Sequence, residues 1–203
     1  MDPKPLRIGM VAGEASGDLL ASLLLQGVSQ HWPQWQASGI GGPRMAQQGF
    51  QVLWPSQLLA VHGYNLEVFK RVFGLWRVRS QLRDRFLQEK PDVFIGVDAP
   101  DFNFGLEESL RQKGIRTVHF VCPSIWAWRP HRVHTIRSSA DHVLCLFPFE
   151  PALLQQHGIA ASYVGHPLAS VLPLEPDQQA ARAQLHLPPD AEVVALLPGS
   201  RNS

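Results

Sequence analysis

Asp98 and Asp101 flank Pro100 directly after the apolar run Val93 to Val97. A carboxylate held at such a turn can take the proton of a hydroxyl or accept its hydrogen bond. The same residue types also fold turns by accepting from backbone N–H groups. Trp126 and Trp128 stand just before Arg129, His131 and Arg132, after a second apolar run, Thr117 to Val121. Indole faces stack on sugar rings, and a guanidinium grips phosphate through a fork of donors; a core tryptophan pair with solvated arginines is the alternative. Gly13-Glu14-Ala15-Ser16-Gly17-Asp18 offers backbone N–H groups at a helix start, where anions bind. A plain turn with Ser16 as N-cap reads equally well there. This turn is not GxGxxG, so the dinucleotide fingerprint is missing. Two carboxylates in one turn do not complete a hard-cation shell. His119, inside a strand, reads as a buried core histidine.

These residues need a sheet to hold them. The apolar runs Leu6 to Ala12, Ala37 to Ile40, Gln51 to Leu53, Val93 to Val97, Thr117 to Val121, His142 to Leu146 and Ser162 to Val164 are expected strands. Helices are expected at Leu19 to Ser29, Leu66 to Gln88, Phe104 to Lys113, His131 to Ser138 and Pro148 to His157. Alternation of this kind predicts an α/β fold, a Rossmann-like parallel sheet with right-handed crossovers. Such sheets bind ligands outside the carboxyl ends of their strands, where the aspartates and tryptophans fall. A Pro- and Leu-rich linker, a helix over Asp177 to Leu185 and a strand over Glu192 to Leu197 follow. That last strand, ending in Pro198-Gly199-Ser200-Arg201, reads as the first of a second α/β domain cut short.

Bulk composition narrows the classes. The chain has 203 residues, enough for one full domain and a remnant. A net charge of +1 gives no bulk attraction for nucleic acid. Two cysteines without metal-ligand spacing suit a reducing, cytoplasmic setting. No secretory leader and no apolar run of membrane-spanning length is expected.

The stretch Leu66 to Phe86 adds a further clue. Leu66, Phe69, Val72, Phe73 and Trp76 recur at helical spacing, and Lys70, Arg71, Arg77, Arg79, Arg83 and Arg85 outnumber Glu67 and Asp84. A basic amphipathic helix with aromatics suits an anionic membrane surface, with Phe69, Lys70, Arg71, Phe73, Trp76 and Arg77 as contacts. Each such cation near an anionic leaflet contributes about 1 kcal/mol. Packing of the apolar face on the sheet is the competing reading.

Seven motifs together closely resemble the lipid-A-disaccharide synthases, glycosyltransferase family 19. They are AGEASGD (Ala12 to Asp18), GIGGPRM (Gly39 to Met45), PDVFIGVDAPDFN (Pro91 to Asn103), CPSIWAWRPHRV (Cys122 to Val133), LFPFE (Leu146 to Glu150), VGHPLA (Val164 to Ala169) and LLPGSR (Leu196 to Arg201). They follow the family's order along the whole chain. The resemblance implies a GT-B-type transferase, with an acceptor-binding α/β domain over 1–165, a linker and helix over 166–190, and the start of a truncated UDP-binding domain over 191–203. It implies transfer from UDP-2,3-diacylglucosamine to 2,3-diacylglucosamine 1-phosphate, with inversion, without metal or other cofactor. By the same match Asp98 is the base. Arg201 faces the donor phosphates, and Glu14, Ser16, Asp101, Trp126 and Arg129 fit the cleft wall. A peripheral position at the inner face of the bacterial inner membrane and a homodimer of the full-length enzyme are further implications.

The chain departs from the family pattern in places. One extra residue sits in His62-Gly63-Tyr64-Asn65-Leu66-Glu67-Val68; Cys122 stands where serine is common, and Ser170 where aspartate is common. Asn202-Ser203 replaces the acidic residue and donor domain expected after Arg201. A single charge-assisted hydrogen bond contributes about 1.5–3 kcal/mol, whereas enzymes lower barriers by about 8 kcal/mol or more. Arg201 cannot stand in for a UDP pocket, so little turnover is expected from this polypeptide by itself. A non-catalytic product with lipid or membrane affinity, and another GT-B-like UDP-sugar enzyme such as an epimerase, are the rival expectations.

Overall fold

The computed structural model describes residues 4–59, 66–127, 130–170 and 172–197, without the side chains of 66–73, 168 and 170. The chain divides into two compact units, Met1–Gly165 and His166–Ser203.

In the first unit β1 (Leu6–Ala12), α1 (Glu14–His31), β2 (Trp35–Gly41), α2 (Pro43–Gln47) and β3 (Gln51–Pro55) come first. A 3-10 turn, Ser56–Leu59, follows β3, and α3 (Leu66–Glu89) comes after it. Then come β4 (Val93–Val97), α4 (Pro100–Arg111), β5 (Thr117–Phe120), α5 (Arg132–Ser139), β6 (His142–Cys145), α6 (Glu150–Gln155) and β7 (Ala161–Tyr163). The strands form one sheet in the order β3-β2-β1-β4-β5-β6-β7, and each neighbouring pair is parallel. This is the parallel α/β sheet expected from the alternation.

Period-two burial along β1 explains how both faces are covered. Met10 joins a cluster with Leu20, Ala21, Leu25 and Ile95 on the α1 side. Val11, its neighbour, packs with Ile40, Leu82, Phe86, Phe94, Leu106 and Leu110 on the side of α3 and α4. Consecutive strand residues point to opposite faces, so a strand covered on both must be apolar throughout. A third cluster, with Phe104, Ile136, Val143 and Leu154, closes the far end.

Two aspartates tie strand starts together. The Arg7 amide donates to Asp92 at 2.8 Å, and the Thr117 amide to Asp141 at 2.9 Å. The Arg7 amide first, then the Lys4 and Arg7 charges, hold the Asp92 carboxyl below its ordinary 3.8. Burial pulls the Asp141 carboxyl up; the Thr117 amide and the Arg111 guanidinium outweigh it, and the net shift is downward. A carboxyl depressed in the fold contributes stability above its unfolded pKa and loses it as pH falls through the folded value. Unfolding free energy from urea titrations should therefore decline as pH drops below about 4. Asp141→Asn should flatten that decline; an unchanged slope would contradict the assignment.

Several elements differ from the expected boundaries. α1 starts at Glu14 rather than Leu19, and α4 at Pro100 rather than Phe104. In each case the first helical turn is polar because it borders the sheet's open rim, so hydrophobic periodicity begins one turn late. Ser16 consequently is not the N-cap: Gly13 holds that position, extended and without a side-chain cap.

In the second unit, α7 (Gln178–Gln184) is capped by Asp177, whose carboxylate accepts from the Ala180 amide at 2.9 Å. Arg182 then donates to the Pro188 and Ala191 carbonyls. The strand expected over Glu192 to Leu197 is not formed. A strand is defined by hydrogen bonds to a neighbour, and no described strand pairs with this segment. Its Leu196 and Leu197 stand almost fully exposed.

Candidate functional site

All seven strands are parallel, so their carboxyl ends share one edge. The strand order reverses direction between β1 and β4. This is the topological switch point, where the loops leaving adjacent strands part and open a crevice. Beyond β1, Gly13 leads into Glu14, the first residue of α1; the loop after β4 carries Asp98. The two loops approach closely, since a Cβ on Gly13 would lie 3.1 Å from that of Ala99.

Backbone strain gathers on this rim. Glu14 has φ 54°, Asp98 51°, Ala99 44° and Val121 82°. They follow β1, β4 and β5, the three adjacent central strands. Left-handed conformations cost a non-glycine residue roughly 1–3 kcal/mol each and cluster at sites where geometry matters more than stability. The Asp98 amide donates to the Phe120 carbonyl at 2.9 Å, and its carbonyl accepts from Asn103 Nδ2 at 2.7 Å. The half-buried carboxylate itself has no hydrogen bond or ion pair among the described residues.

A buried polar column supports that turn. Asn103 and Glu107, one helical turn apart on α4, and His119 on β5 are fully buried. His119 Nδ1 lies 2.7 Å from Glu107 Oε1. Gly96 in β4 leaves the necessary space, because a Cβ there would stand 2.1 Å from Glu107 Oε1. His119 is thus a core histidine with a carboxylate partner. Asn103 and Glu107 were missed as supports of the site. Their i, i+4 spacing within the apolar side of α4, alongside a glycine in the preceding strand, was the available signal.

The GEASGD turn divides its labour. Asp18, buried, accepts from the amides of Gly42, Arg44 and Met45 at 2.9, 3.0 and 3.1 Å. It caps α2, and so joins the motif at Ala12 to that at Gly39. Gly42 is required because a Cβ would come within 2.5 Å of the Asp18 carboxylate. Asp18→Ala leaves three amides unpaired inside the protein. It should lower the unfolding free energy by about 3 kcal/mol, read from urea melts; a loss below about 1 kcal/mol would show the cap to be dispensable.

On the next loops, Trp126 is half-exposed and meets Phe149 edge to face at 5.4 Å, and Phe149 stacks on Phe147 at 6.0 Å. This aromatic wall rests on Glu150, which accepts from the Phe147 amide at 3.0 Å and lies near the Leu146 amide and the Trp126 indole. Burial keeps the Glu150 carboxyl above its ordinary range despite these donors. Glu150 clusters with Cys122 and Cys145, their ligand atoms within 4.8 Å of one another. The neighbouring Cys145, burial and Glu150 push the Cys122 thiol far up, which makes it a poor nucleophile.

The expected site residues fall out as follows. Glu14, Asp98, Asp101 and Trp126 share the carboxyl rim, with exposed Ser16 in the first turn of α1. Asp101, highly exposed, is paired with Arg132 and so bridges the starts of α4 and α5. Arg129, Trp128 and Arg201 lie outside the described residues. Phe69, Lys70, Arg71 and Phe73 lie on α3, and their side chains are outside the described set. Trp76 is exposed at 63%, and Arg77 is exposed beside it. Among the described residues no helix is long and apolar enough to cross a membrane.

Comparison with known proteins shows the family and the fold. The family model described as lipid-A-disaccharide synthetase matches residues 8–203. A lipid-A-disaccharide synthase of Verminephrobacter eiseniae is 64% identical over 100% of this chain and 53% of its own length. That of Albidiferax ferrireducens is 61% identical over 98% of this chain and 51% of its own. The chain therefore spans about half the length of the curated relatives it matches. Among solved structures, Phytolacca americana UGT2, complexed with UDP-2-fluoro-glucose and pterostilbene, superposes with TM-score 0.52 at 9% identity. The match covers 82% of this chain and 55% of that one, and likeness at such identity shows the shared GT-B-type fold alone. With a family model spanning nearly every residue, and relatives above 60% identity along the whole chain, this protein belongs to the lipid-A-disaccharide synthetase family.

Proposed function

We propose that this chain supplies the acceptor side of an inverting glycosyl transfer, with Asp98 as general base. The acceptor is 2,3-diacylglucosamine 1-phosphate and the donor UDP-2,3-diacylglucosamine. The acceptor's 6-hydroxyl oxygen bonds to the donor's anomeric carbon. The bond from that carbon to the UDP oxygen breaks, and its electron pair leaves with UDP. The hydroxyl proton passes to the Asp98 carboxylate. Attack opposite the leaving group turns the α linkage into β. Glu14, Ser16 and Trp126 line the acceptor's approach, with Asp101 held by Arg132 at the margin. By the family motif Arg201 is assigned to the donor phosphates, Arg129 to the cleft wall, and 191–203 to the start of the donor-binding half.

The observation that carries this reading is Asp98 itself. A half-buried carboxylate with no internal partner among the described residues stands at the switch point of a parallel sheet, in a turn that two consecutive left-handed residues strain. A carboxylate serving only the fold would accept from backbone amides, as Asp18, Asp92 and Asp141 do from neighbouring elements. Both substrates are diacylated and stay in a bilayer. At about 0.8 kcal/mol per buried CH₂ each lipid is held far too firmly to meet its enzyme in solution. The exposed Trp76 and Arg77 support a peripheral contact through α3 at the inner face of the inner membrane, for which the sequence also offers Phe69, Lys70, Arg71 and Phe73. The test is turnover by residues 1–203 fused to the remaining half of the Verminephrobacter eiseniae relative, read as UDP release with both lipids. The fusion should be active, residues 1–203 alone should not, and Asp98→Asn should abolish most of the activity. Full activity of the Asn variant would overturn the assignment.

A further inference from the structure

α3 and α4 lie side by side on the sheet face opposite α1, and their solvent edges leave a groove of about 230 Å³. Trp76, Arg79, Ser80 and Arg83 line it from α3, and Gly105 and Ser109 from α4. Arg79 is the residue that asks for a ligand. Its Nη1 lies against α4, 2.9 Å from where a Cβ on Gly105 would stand. The guanidinium is half-buried, yet it has no hydrogen bond or ion pair among the described residues. Every other half-buried arginine among those residues is engaged. Arg7, Arg83, Arg85, Arg111 and Arg132 have carboxylate partners, and Arg182 bonds two carbonyls. A partly desolvated cation is costly unless an anion answers it.

The remaining groups define which anion fits. Ser80 Oγ accepts from Arg83 Nη2 at 3.2 Å, which leaves its own proton to give. Ser109 Oγ already donates to the Gly105 carbonyl at 2.7 Å and has none to spare. Arg83 binds Asp84 through Nε and Nη2, so Nη1 is unengaged. The groove thus presents one whole guanidinium fork, half of another and one hydroxyl, a donor set for the oxygens of a phosphate. One observation favours a phosphate carried on a lipid. The groove's rim is the indole of Trp76, 63% exposed, the side chain that collects where headgroups meet acyl chains.

We propose that the α3–α4 groove is a headgroup site for an anionic phospholipid, with Arg79 as its principal cation. It rests on the membrane-contact reading above and gives that contact a stereospecific element, separate from the rim that holds Asp98. The site would seat the protein at a fixed rotation on the bilayer, where a diffuse basic face would leave it free to turn.

The test is co-sedimentation of the full chain with vesicles of phosphatidylcholine, alone or with one-third phosphatidylglycerol. Arg79→Gln should weaken partitioning to the anionic vesicles about fivefold. Arg116→Gln removes the same charge from an exposed arginine at the amino end of β5 and should have no effect. Gly105→Leu fills the groove without changing charge and should reproduce the Arg79→Gln loss. Thermal melting of each variant verifies that it is folded. Equal losses for Arg79→Gln and Arg116→Gln would mean diffuse attraction and overturn the site. Wild-type binding by both Arg79→Gln and Gly105→Leu would overturn it too, while leaving the membrane reading intact. Indifference of the wild-type chain to anionic lipid would remove both. Release from the vesicles by soluble glycerol phosphate would show that free phosphate, rather than a lipid surface, is the ligand.

Discussion

Asp98→Asn, in residues 1–203 fused to the remaining half of the relative, is expected to lower kcat by about 10²–10⁴-fold. KM for the acceptor should change far less. Asn has nearly the shape of Asp and keeps the turn, whose backbone bonds run from the Asp98 amide to Phe120 and from Asn103 to the Asp98 carbonyl. What it loses is the capacity to take a proton as the C–O bond forms. An interaction made only in the transition state appears in kcat and in kcat/KM alike. A KM rise with kcat unchanged would make Asp98 an acceptor-binding residue and leave the base to be sought elsewhere on the rim.

Asn103→Ala should have the next largest effect, on both stability and rate. Asn103 is fully buried, and its Nδ2 meets the Asp98 carbonyl at 2.7 Å, with the Val11 and Val97 carbonyls at 3.5 Å. Those three carbonyls belong to the ends of β1 and β4 and to the turn between β4 and α4. Removing the amide leaves the strained turn without its tie and a buried carbonyl unpaired, a loss of about 2 kcal/mol in unfolding free energy. The turn should then relax toward ordinary backbone angles and carry Asp98 away. A displacement of the base by about 1 Å costs on the order of 10²-fold in rate. A merely structural role would lower stability and leave kcat of the folded fraction intact; a positioning role lowers kcat at temperatures well below melting. Asn103→Asp, which keeps the shape but removes the donor, should resemble Ala more than wild type.

Legibility in the sequence followed the range of each interaction. The runs LRIGMVA, VFIGV and TVHF announced buried parallel strands because a strand covered on both faces must be apolar at every position. Alternation with helices then left few topologies, and the rim carrying Glu14, Asp98 and Trp126 followed from strand ends alone. Helix starts were read one turn late where the rim demands polar residues, at Glu14 and Pro100. The strand expected over Glu192 to Leu197 has the right composition and no described neighbour, and composition does not make a ladder.

Local pattern, over a dozen residues or fewer, thus determined the strands and most helices and put the candidate carboxylates at a strand end; the choice of Asp98 among them came from the family resemblance. The fold alone decided the partnerships: Asp18 with the amides of Gly42, Arg44 and Met45, Asp101 with Arg132, Glu107 with His119, and the isolation of Arg79 beside Gly105. A carboxylate's residue type says only that it can accept. Whether a given one is spent on a cap, an ion pair or a substrate depends on which donors the crossovers bring within about 3 Å, and that is a property of three-dimensional placement.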